Sequence, residues 1–174
     1  MSLDGYIARP DGAVDFLVMD KNTSRLMAEF FATVDTAIMG RKTIEASIRM
    51  TGGSYNPPVP ITTYVFSRTW PPGKQDHFEV IDQSPAALVR KLQKLPGKNI
   101  FLMGGGELAR GFLEADLVDE LFLSIVPVLL GQGIPAFPVG FPQREFKLLD
   151  NKTSSKHSVS LTYSRIRTKP KRKP

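Results

Sequence analysis

Apolar residues along this chain recur at two spacings, one typical of helices and the other typical of strands. The helical spacing predicts a first helix that ends near Thr33 and has Asn22 or Thr23 as its N-cap. Its apolar face would consist of Leu26, Met27, Phe30 and Phe31. A second helix is predicted to begin near Lys42, and a third to run from a glycine cluster to about Glu114.

Short apolar or β-branched runs separate these helices and predict strands. The predicted strands cover residues 36–39, 62–67, 78–81, 99–103 and 120–126. Ser84 followed by Pro85 predicts another helix start, with Ser84 as the N-cap and the proline in the first turn. This helix is expected to direct Leu88, Val89, Leu92 and Leu95 inward and to end at Pro96 and Gly97.

Strands and helices alternate through the middle of the chain, whereas the last two predicted strands, 145–150 and 158–166, have no helix between them. This order predicts an α/β fold, a three-layer α/β/α sandwich with a mostly parallel sheet and antiparallel C-terminal strands. We expect one domain over residues 1–167 and a basic disordered tail over residues 168–174.

The composition is that of a globular protein, with 41% hydrophobic and 23% charged residues among 174. No apolar run is long enough for a membrane-spanning helix, and no signal peptide is recognisable, so a cytoplasmic protein without a membrane partner is expected. The chain has no cysteine and only two histidines, which argues against a disulfide, a thiolate metal site or a histidine-rich metal site.

The net charge of +6 depends largely on the predicted tail. Four of its cations are Lys169, Lys171, Arg172 and Lys173. The remaining chain lacks basic residues interleaved with aromatic ones, so nucleic acid is not the expected partner.

Three consecutive glycines, Gly104, Gly105 and Gly106, stand between a predicted strand and a predicted helix. Bare backbone at a helix N-terminus favours a bound phosphate, because the amide groups and the helix dipole point at it. The segment also fits a dinucleotide fingerprint that closes at Ala109, although few strand–helix units follow it. A tight turn that lets the helix pack closely on the strand is the alternative interpretation.

Two further strand ends carry similar chemistry. Gly40 is followed by Arg41, Lys42 and Thr43 in the first turn of a helix, where cations are unfavourable unless an anion is bound. The next strand ends in Ser67 and Arg68, and a guanidinium suits a phosphate dianion. The alternative interpretation of the first segment is that Arg41 and Lys42 merely point into solvent. The alternative for the second is that Ser67 and Arg68 form an ordinary strand end. Because ligands of α/β sheets lie across the carboxyl ends of the strands, the three segments together favour a phosphate-bearing cofactor.

These three segments, in this order, resemble the dihydrofolate-reductase-like superfamily. The opening residues 2–8 and the run 127–137 are similar to the reductase domain of riboflavin biosynthesis and its stand-alone bacterial relatives. The resemblance implies a dihydrofolate-reductase-like fold and NADPH-dependent hydride transfer to a small heteroaromatic substrate of pteridine or pyrimidine type. Members are often homodimers, so a homodimer is expected.

The resemblance also implies roles for individual residues. Gly40, Arg41, Lys42 and Thr43 would meet the cofactor phosphates, and Ser67 with Arg68 would hold the adenosine ribose and its 2′-phosphate. The pyrophosphate would be cradled by Gly104, Gly105, Gly106, Glu107 and Leu108. Ile7 and Ala8 would touch the nicotinamide ring.

The chain departs from the family where a substrate would bind. Dihydrofolate reductases carry a tryptophan in the loop after the first strand, and riboflavin-pathway reductases carry histidine and arginine on the first helix; residues 14–17 and 26–31 have neither. Asp15 is the nearest candidate proton donor or substrate anchor. The alternative interpretation is that Asp15 is a turn or N-cap residue close to Gly12. A catalytically inactive nucleotide-binding protein of the same fold is therefore the second interpretation.

A final departure lies at the N-terminus. Relatives place an apolar strand before the segment that here begins at Ser2. Because a missing central strand would leave backbone groups unpaired, we expect the natural product to begin upstream of Met1. If Met1 is the true start, a partner chain or a rearranged segment would have to fill the gap.

Overall fold

The computed structural model describes residues 1–17, 21–57, 59–153 and 157–167, and the predicted tail over 168–174 lies outside these residues. The helices are α1 (Lys21–Phe31), α2 (Arg41–Met50), α3 (Pro85–Leu92) and α4 (Gly106–Glu114). The strands are β1 (Tyr6–Ala8), β2 (Val34–Gly40), β3 (Thr62–Phe66), β4 (Gly73–Lys74), β5 (Glu79–Ile81), β6 (Asn99–Leu102), β7 (Glu120–Ile125), β8 (Ile134–Pro135), β9 (Phe146–Thr153) and β10 (Val159–Arg165).

The larger sheet has the strand order β4-β5-β3-β2-β6. Strand β2 lies beside both β3 and β6 and is parallel to each, with Ile38 opposite Tyr64 on one side and Leu102 on the other. Strand β5 continues the parallel arrangement, and only β4 is antiparallel. The mostly parallel sheet predicted from the sequence is therefore confirmed.

Strand β2 is buried on both faces because helices cover both sides of this sheet. Its residue Ile38 packs with Leu88 and Phe112 from α3 and α4. The next residue, Met39, points to the opposite face, as alternation along a strand requires, and packs with Ile44 of α2. The three-layer α/β/α arrangement follows from these two apolar clusters and confirms the predicted fold class.

The C-terminal strands form a second sheet in the order β7-β10-β9, and both pairings are antiparallel. Leu161 of β10 lies opposite Leu123 of β7 and Asn151 of β9. The antiparallel C-terminal strands were thus predicted correctly. Among the described residues, no strand joins β6 of the larger sheet to β7 of this one.

Two helix boundaries were predicted incorrectly. Helix α1 already begins at Lys21, so Asn22 and Thr23 lie inside it and neither is the N-cap. Helix α3 ends at Leu92, and Leu95 is 59% exposed instead of facing the core. Because Pro96 disfavours a helical conformation at Leu95, the last predicted turn does not form. The predicted cap at Ser84 is confirmed, since its Oγ accepts a hydrogen bond from the Ala87 amide at 3.3 Å.

The N-terminal segment pairs with the segment around β8. Strand β1 is antiparallel to β8, and the Leu3 amide donates to the Val128 carbonyl oxygen at 2.8 Å. The Asp4 carboxylate accepts the amides of Leu130 and Gly131, the latter at 2.7 Å. Hydrogen bonds from the Ser2 side chain and from these amides lower the pKa of Asp4. The two segments are therefore held together as one unit beside the sheet.

We predict that Leu88→Ala destabilises the protein by about 2–5 kcal/mol, because Leu88 is fully buried and its truncation leaves a cavity. Leu95→Ala, on the same predicted apolar face, is the matched control and is expected to change stability by less than about 0.5 kcal/mol. Urea denaturation measures both values. Equal losses for the two variants would place Leu95 in the core and contradict the observed end of α3.

Candidate functional site

The carboxyl ends of β2, β3 and β6 open into one cavity of about 2100 Å³. Residues 40–43, 67–69 and 104–110 line it, and so do Ile7 and Ala8. The three segments singled out in the sequence therefore lie around one space. Their proximity follows from the parallel pairing of the strands, which sets their carboxyl ends at the same edge.

The first segment is the N-terminus of α2. Gly40 is the N-cap, is extended, and offers no side-chain hydrogen bond to the first turn. The first-turn amides therefore have no capping partner and remain available to an anion. Arg41 forms an ion pair with Glu45 at 2.5 Å, whereas no described residue forms an ion pair with the exposed Lys42.

The second segment is the N-terminus of α4, which is likewise uncapped by any side chain. Gly104 has φ +90°, and no described atom lies within 4 Å of the position that a Cβ would take there. Its peptide bond to Gly105 is cis. A Cβ on Gly105 would lie 3.6 Å from Thr43 Oγ1, so the two helix starts are neighbours. Bare backbone at Gly104 leaves room for a bound molecule.

The third segment follows β3. The Ser67 hydroxyl oxygen accepts the amides of Thr69 and Trp70, at 3.1 and 2.8 Å, and so stabilises the turn after the strand. Its hydroxyl proton is still available for donation to a ligand. Arg68 is exposed, and no ion pair to it is formed within the described part of the chain. The segment thus places a free guanidinium at the rim of the cavity.

The fourth contribution comes from Ile7 and Ala8 on β1. Pairing with β8 positions both residues along the cavity. The backbone just before β8 also lies close to β1, because a Cβ on Gly133 would lie 2.4 Å from the Ala8 carbonyl oxygen. Ile7 and Ala8 consequently form an apolar wall beside the uncapped helix starts.

Asp15 occupies a different position from the one expected of a proton donor. Its carboxylate accepts two hydrogen bonds from Arg9, at 2.7 and 3.0 Å, and it is not among the described residues that line the cavity. These hydrogen bonds and the charge of Arg9 lower the pKa of Asp15, so it is anionic at neutral pH. Its catalytic role stays a prediction, and the observed contact resembles the alternative of a structural loop residue.

The cavity also has polar residues that the sequence reasoning missed. Asp82 and Gln83 follow β5 and line the same space, and so does Glu45, the partner of Arg41. A usable signal was present, since Asp82 and Gln83 come directly after the buried pair Val80 and Ile81. This is the same pattern of an apolar strand followed by polar residues that marked the other three strand ends.

The family profile described as the RibD C-terminal domain matches residues 1–160. The chain belongs to the RibD C-terminal domain family. Two uncharacterized Bacillus subtilis proteins are similar to this RibD C-terminal domain. YwjB is 36% identical, and the match covers 79% of this chain and 78% of YwjB. YyaP is 33% identical, and the match covers 94% of this chain and 90% of YyaP.

Solved structures share the fold of this RibD C-terminal domain. A Shewanella sp. PV-4 protein, provisionally assigned to riboflavin biosynthesis, has a TM-score of 0.82 at 26% identity, covering 96% of each chain. A pyrimidine reductase-like protein from Corynebacterium diphtheriae has a TM-score of 0.67 at 16% identity, covering 97% of this chain and 90% of its own. At the lower identity the likeness concerns the fold alone.

Two further features of the described residues bear on the class of site. They contain no cluster of three or more histidine, cysteine or acidic side chains that could hold a metal ion. None of the helices within the described ranges is both long and apolar enough to cross a membrane.

We predict opposite effects for two alanine substitutions in α4. Gly106→Ala should destabilise the protein by about 1–3 kcal/mol, because its Cβ would lie 2.5 Å from the Pro135 carbonyl oxygen. Gly111→Ala should stabilise it by about 0.5–1 kcal/mol, because no described atom lies within 4 Å and alanine favours a helix. Urea denaturation distinguishes them. A neutral Gly106→Ala would show that α4 does not pack closely on β8.

Proposed function

We propose that this protein is an NADPH-dependent reductase that transfers a hydride to a small heteroaromatic substrate of pteridine or pyrimidine type. The observation that carries the proposal is the convergence of two uncapped helix N-termini and a free guanidinium on one cavity. Membership of the RibD C-terminal domain family supports a reductase-type fold. A small molecule, and not nucleic acid, is the proposed partner.

The chemistry of the lining residues fits NADPH. A pyrophosphate needs several hydrogen-bond donors at one place, and the uncapped starts of α2 and α4 supply backbone amides there. The backbone at Gly104 is open to a close approach, since no described atom lies within 4 Å of its would-be Cβ. In this proposal residues 104–108 and Thr43 hold the pyrophosphate, with Lys42 adding positive charge.

The 2′-phosphate of NADPH would be held by Arg68. Its guanidinium is exposed beside the cavity and has no competing ion pair among the described residues. Arginine can donate two parallel hydrogen bonds to a phosphate, which distinguishes NADPH from NADH. Arg41 contributes less in this proposal, because Glu45 already neutralises it. Ser67 can donate its hydroxyl proton to the ribose while its oxygen fixes the turn.

The apolar wall of Ile7 and Ala8 is the proposed location of the nicotinamide ring. When bound, NADPH supplies the hydride, and the protein supplies orientation and a water-poor surface. A reduction also needs a proton. Asp15 is anionic and bound to Arg9, so in this proposal the proton comes from solvent unless Asp15 is released from that contact.

One observation favours a second candidate, a nucleotide-binding protein of this fold without catalysis. The only acidic candidate for proton donation named from the sequence, Asp15, does not line the cavity. The two candidates differ in turnover but not in cofactor binding. A reductase oxidises NADPH in the presence of an oxidised pteridine or an aminopyrimidinone that it accepts as substrate, so the absorbance of NADPH falls. An inactive protein binds NADPH and leaves its absorbance unchanged with every such compound.

We predict that Arg68→Ala weakens NADPH binding about tenfold or more and changes NADH binding by less than about twofold. The reason is that hydrogen bonds to a charged group are each worth about 1.5–3 kcal/mol and only NADPH carries the 2′-phosphate. Isothermal titration with each cofactor measures the change. Arg90→Ala, an exposed arginine on α3, is the matched control and should leave both affinities unchanged.

If Arg68→Ala weakens the binding of NADPH and of NADH by the same factor, Arg68 does not hold the 2′-phosphate. If the unmodified protein binds neither cofactor, the reductase and the nucleotide-binding candidates both fail.

A further inference from the structure

The carboxyl end of β5 differs from the three strand ends that carry phosphate-binding chemistry. Strand β5 ends at Ile81, and the next two residues, Asp82 and Gln83, line the cavity. Strand β5 is parallel to β3, with Ile81 opposite Phe66. Ser67 and Asp82 are the next residues on these two strands, which as neighbours lie about 4.8 Å apart. Asp82 therefore leaves the sheet beside the segment that the proposed function assigns to the adenosine ribose.

The helix that follows β5 is not arranged to bind an anion. The Ser84 Oγ accepts the Ala87 amide at 3.3 Å, so a side chain already caps the first turn of α3. Pro85 stands in that turn and has no amide proton to donate. The starts of α2 and α4, by contrast, have no side-chain cap. The end of β5 thus presents a carboxylate where β2 and β6 present free amides.

The carboxylate of Asp82 is free to bind a ligand. Asp82 is exposed, and no described residue forms an ion pair or a side-chain hydrogen bond with it. Two other carboxylates that line the cavity are already paired, Glu45 with Arg41 at 2.5 Å and Glu107 with Arg110 at 2.8 Å. An ionised carboxylate accepts hydrogen bonds and donates none. The ligand group that meets Asp82 should therefore be a hydrogen-bond donor and not a second anion.

The adenosine ribose of a dinucleotide carries such a donor. In NADH its 2′-hydroxyl is free, and an acidic side chain is a suitable acceptor for that hydroxyl. In NADPH the 2′-oxygen carries a phosphate, so the donor is lost and a second anion approaches the carboxylate. Like charges repel, and solvent weakens this repulsion at an exposed position without abolishing it. A carboxylate at this place therefore favours NADH, whereas the guanidinium of Arg68 favours NADPH.

We propose that Asp82 is a specificity-determining residue, whose carboxylate accepts a hydrogen bond from the 2′-hydroxyl of the adenosine ribose and so opposes Arg68 in the choice between NADH and NADPH. This inference rests on the proposed function, because it requires a dinucleotide in the cavity. The two side chains act on the same position of the cofactor with opposite signs. The protein consequently prefers NADPH less strongly than Arg68 alone would dictate, and loss of the Asp82 charge sharpens that preference.

The test is isothermal titration of the unmodified protein and of Asp82→Asn with NADH and with NADPH. Asparagine keeps the size of the side chain and removes its charge. The Kd of NADH should rise and the Kd of NADPH should fall, so that the ratio of the first to the second increases at least about fivefold. Asp76→Asn is the matched control, because Asp76 is exposed and is not among the described residues that line the cavity. It should leave the ratio unchanged.

A second titration identifies the ligand group that Asp82 contacts. The unmodified protein should bind ADP at least about threefold more tightly than 2′-deoxy-ADP, which lacks the hydroxyl. Asp82→Asn should lose most of this preference. If the variant instead binds ADP and 2′-deoxy-ADP more weakly by the same factor, the carboxylate contacts the adenine amino group, and the proposal is overturned.

The results separate this inference from the proposed function. If the unmodified protein binds both cofactors and Asp82→Asn changes the ratio of their Kd values no more than Asp76→Asn does, the proposed function stands and the role of Asp82 is refuted. If the unmodified protein binds neither cofactor, the proposed function and the role of Asp82 fail together. None of these measurements depends on turnover or on the identity of the substrate.

Discussion

The parallel pairing of β2 with β3 and β6 is the constraint on which the rest of this structure depends. It places Gly40, the last residue of β2, together with Ser67 and Met103, which directly follow β3 and β6, at one edge of the sheet. Parallel strands need cover on both faces, and α3 and α4 on one side and α2 on the other provide it. The cavity is therefore a consequence of the sheet topology, and the helix N-termini point into it because they follow those strands directly.

Glycine backbone at this edge serves packing and ligand access at once. Gly106 allows α4 to approach Pro135 of β8 closely, whereas Gly104 leaves open space towards the cavity. The same β8 pairs with β1, which carries Ile7 and Ala8. One part of the glycine cluster thus fits the interpretation of a tight turn, and another part fits the interpretation of a phosphate-binding turn. The two interpretations are compatible.

The carboxyl ends of β2, β3 and β6 could be predicted from the sequence, because each apolar run stops at a glycine or a serine. These residues are Gly40, Ser67 and Gly104. The sequence did not predict β1 and β8, since strands of three and two residues have no measurable periodicity and their pairing joins distant segments. The ion pair between Arg9 and Asp15 could not be predicted from the sequence either, because the geometry of the loop decides which charged side chains meet. The tail and the roles of the cavity residues toward a cofactor stay predictions.

A crystal structure of the protein with NADPH tests the central claim most directly. We predict that the pyrophosphate lies against residues 104–108 and Thr43, that the 2′-phosphate lies within hydrogen-bond distance of Arg68, and that the nicotinamide ring packs against Ile7 and Ala8. A complex with the phosphates bound away from these strand ends, or with Arg68 turned towards solvent, would contradict it.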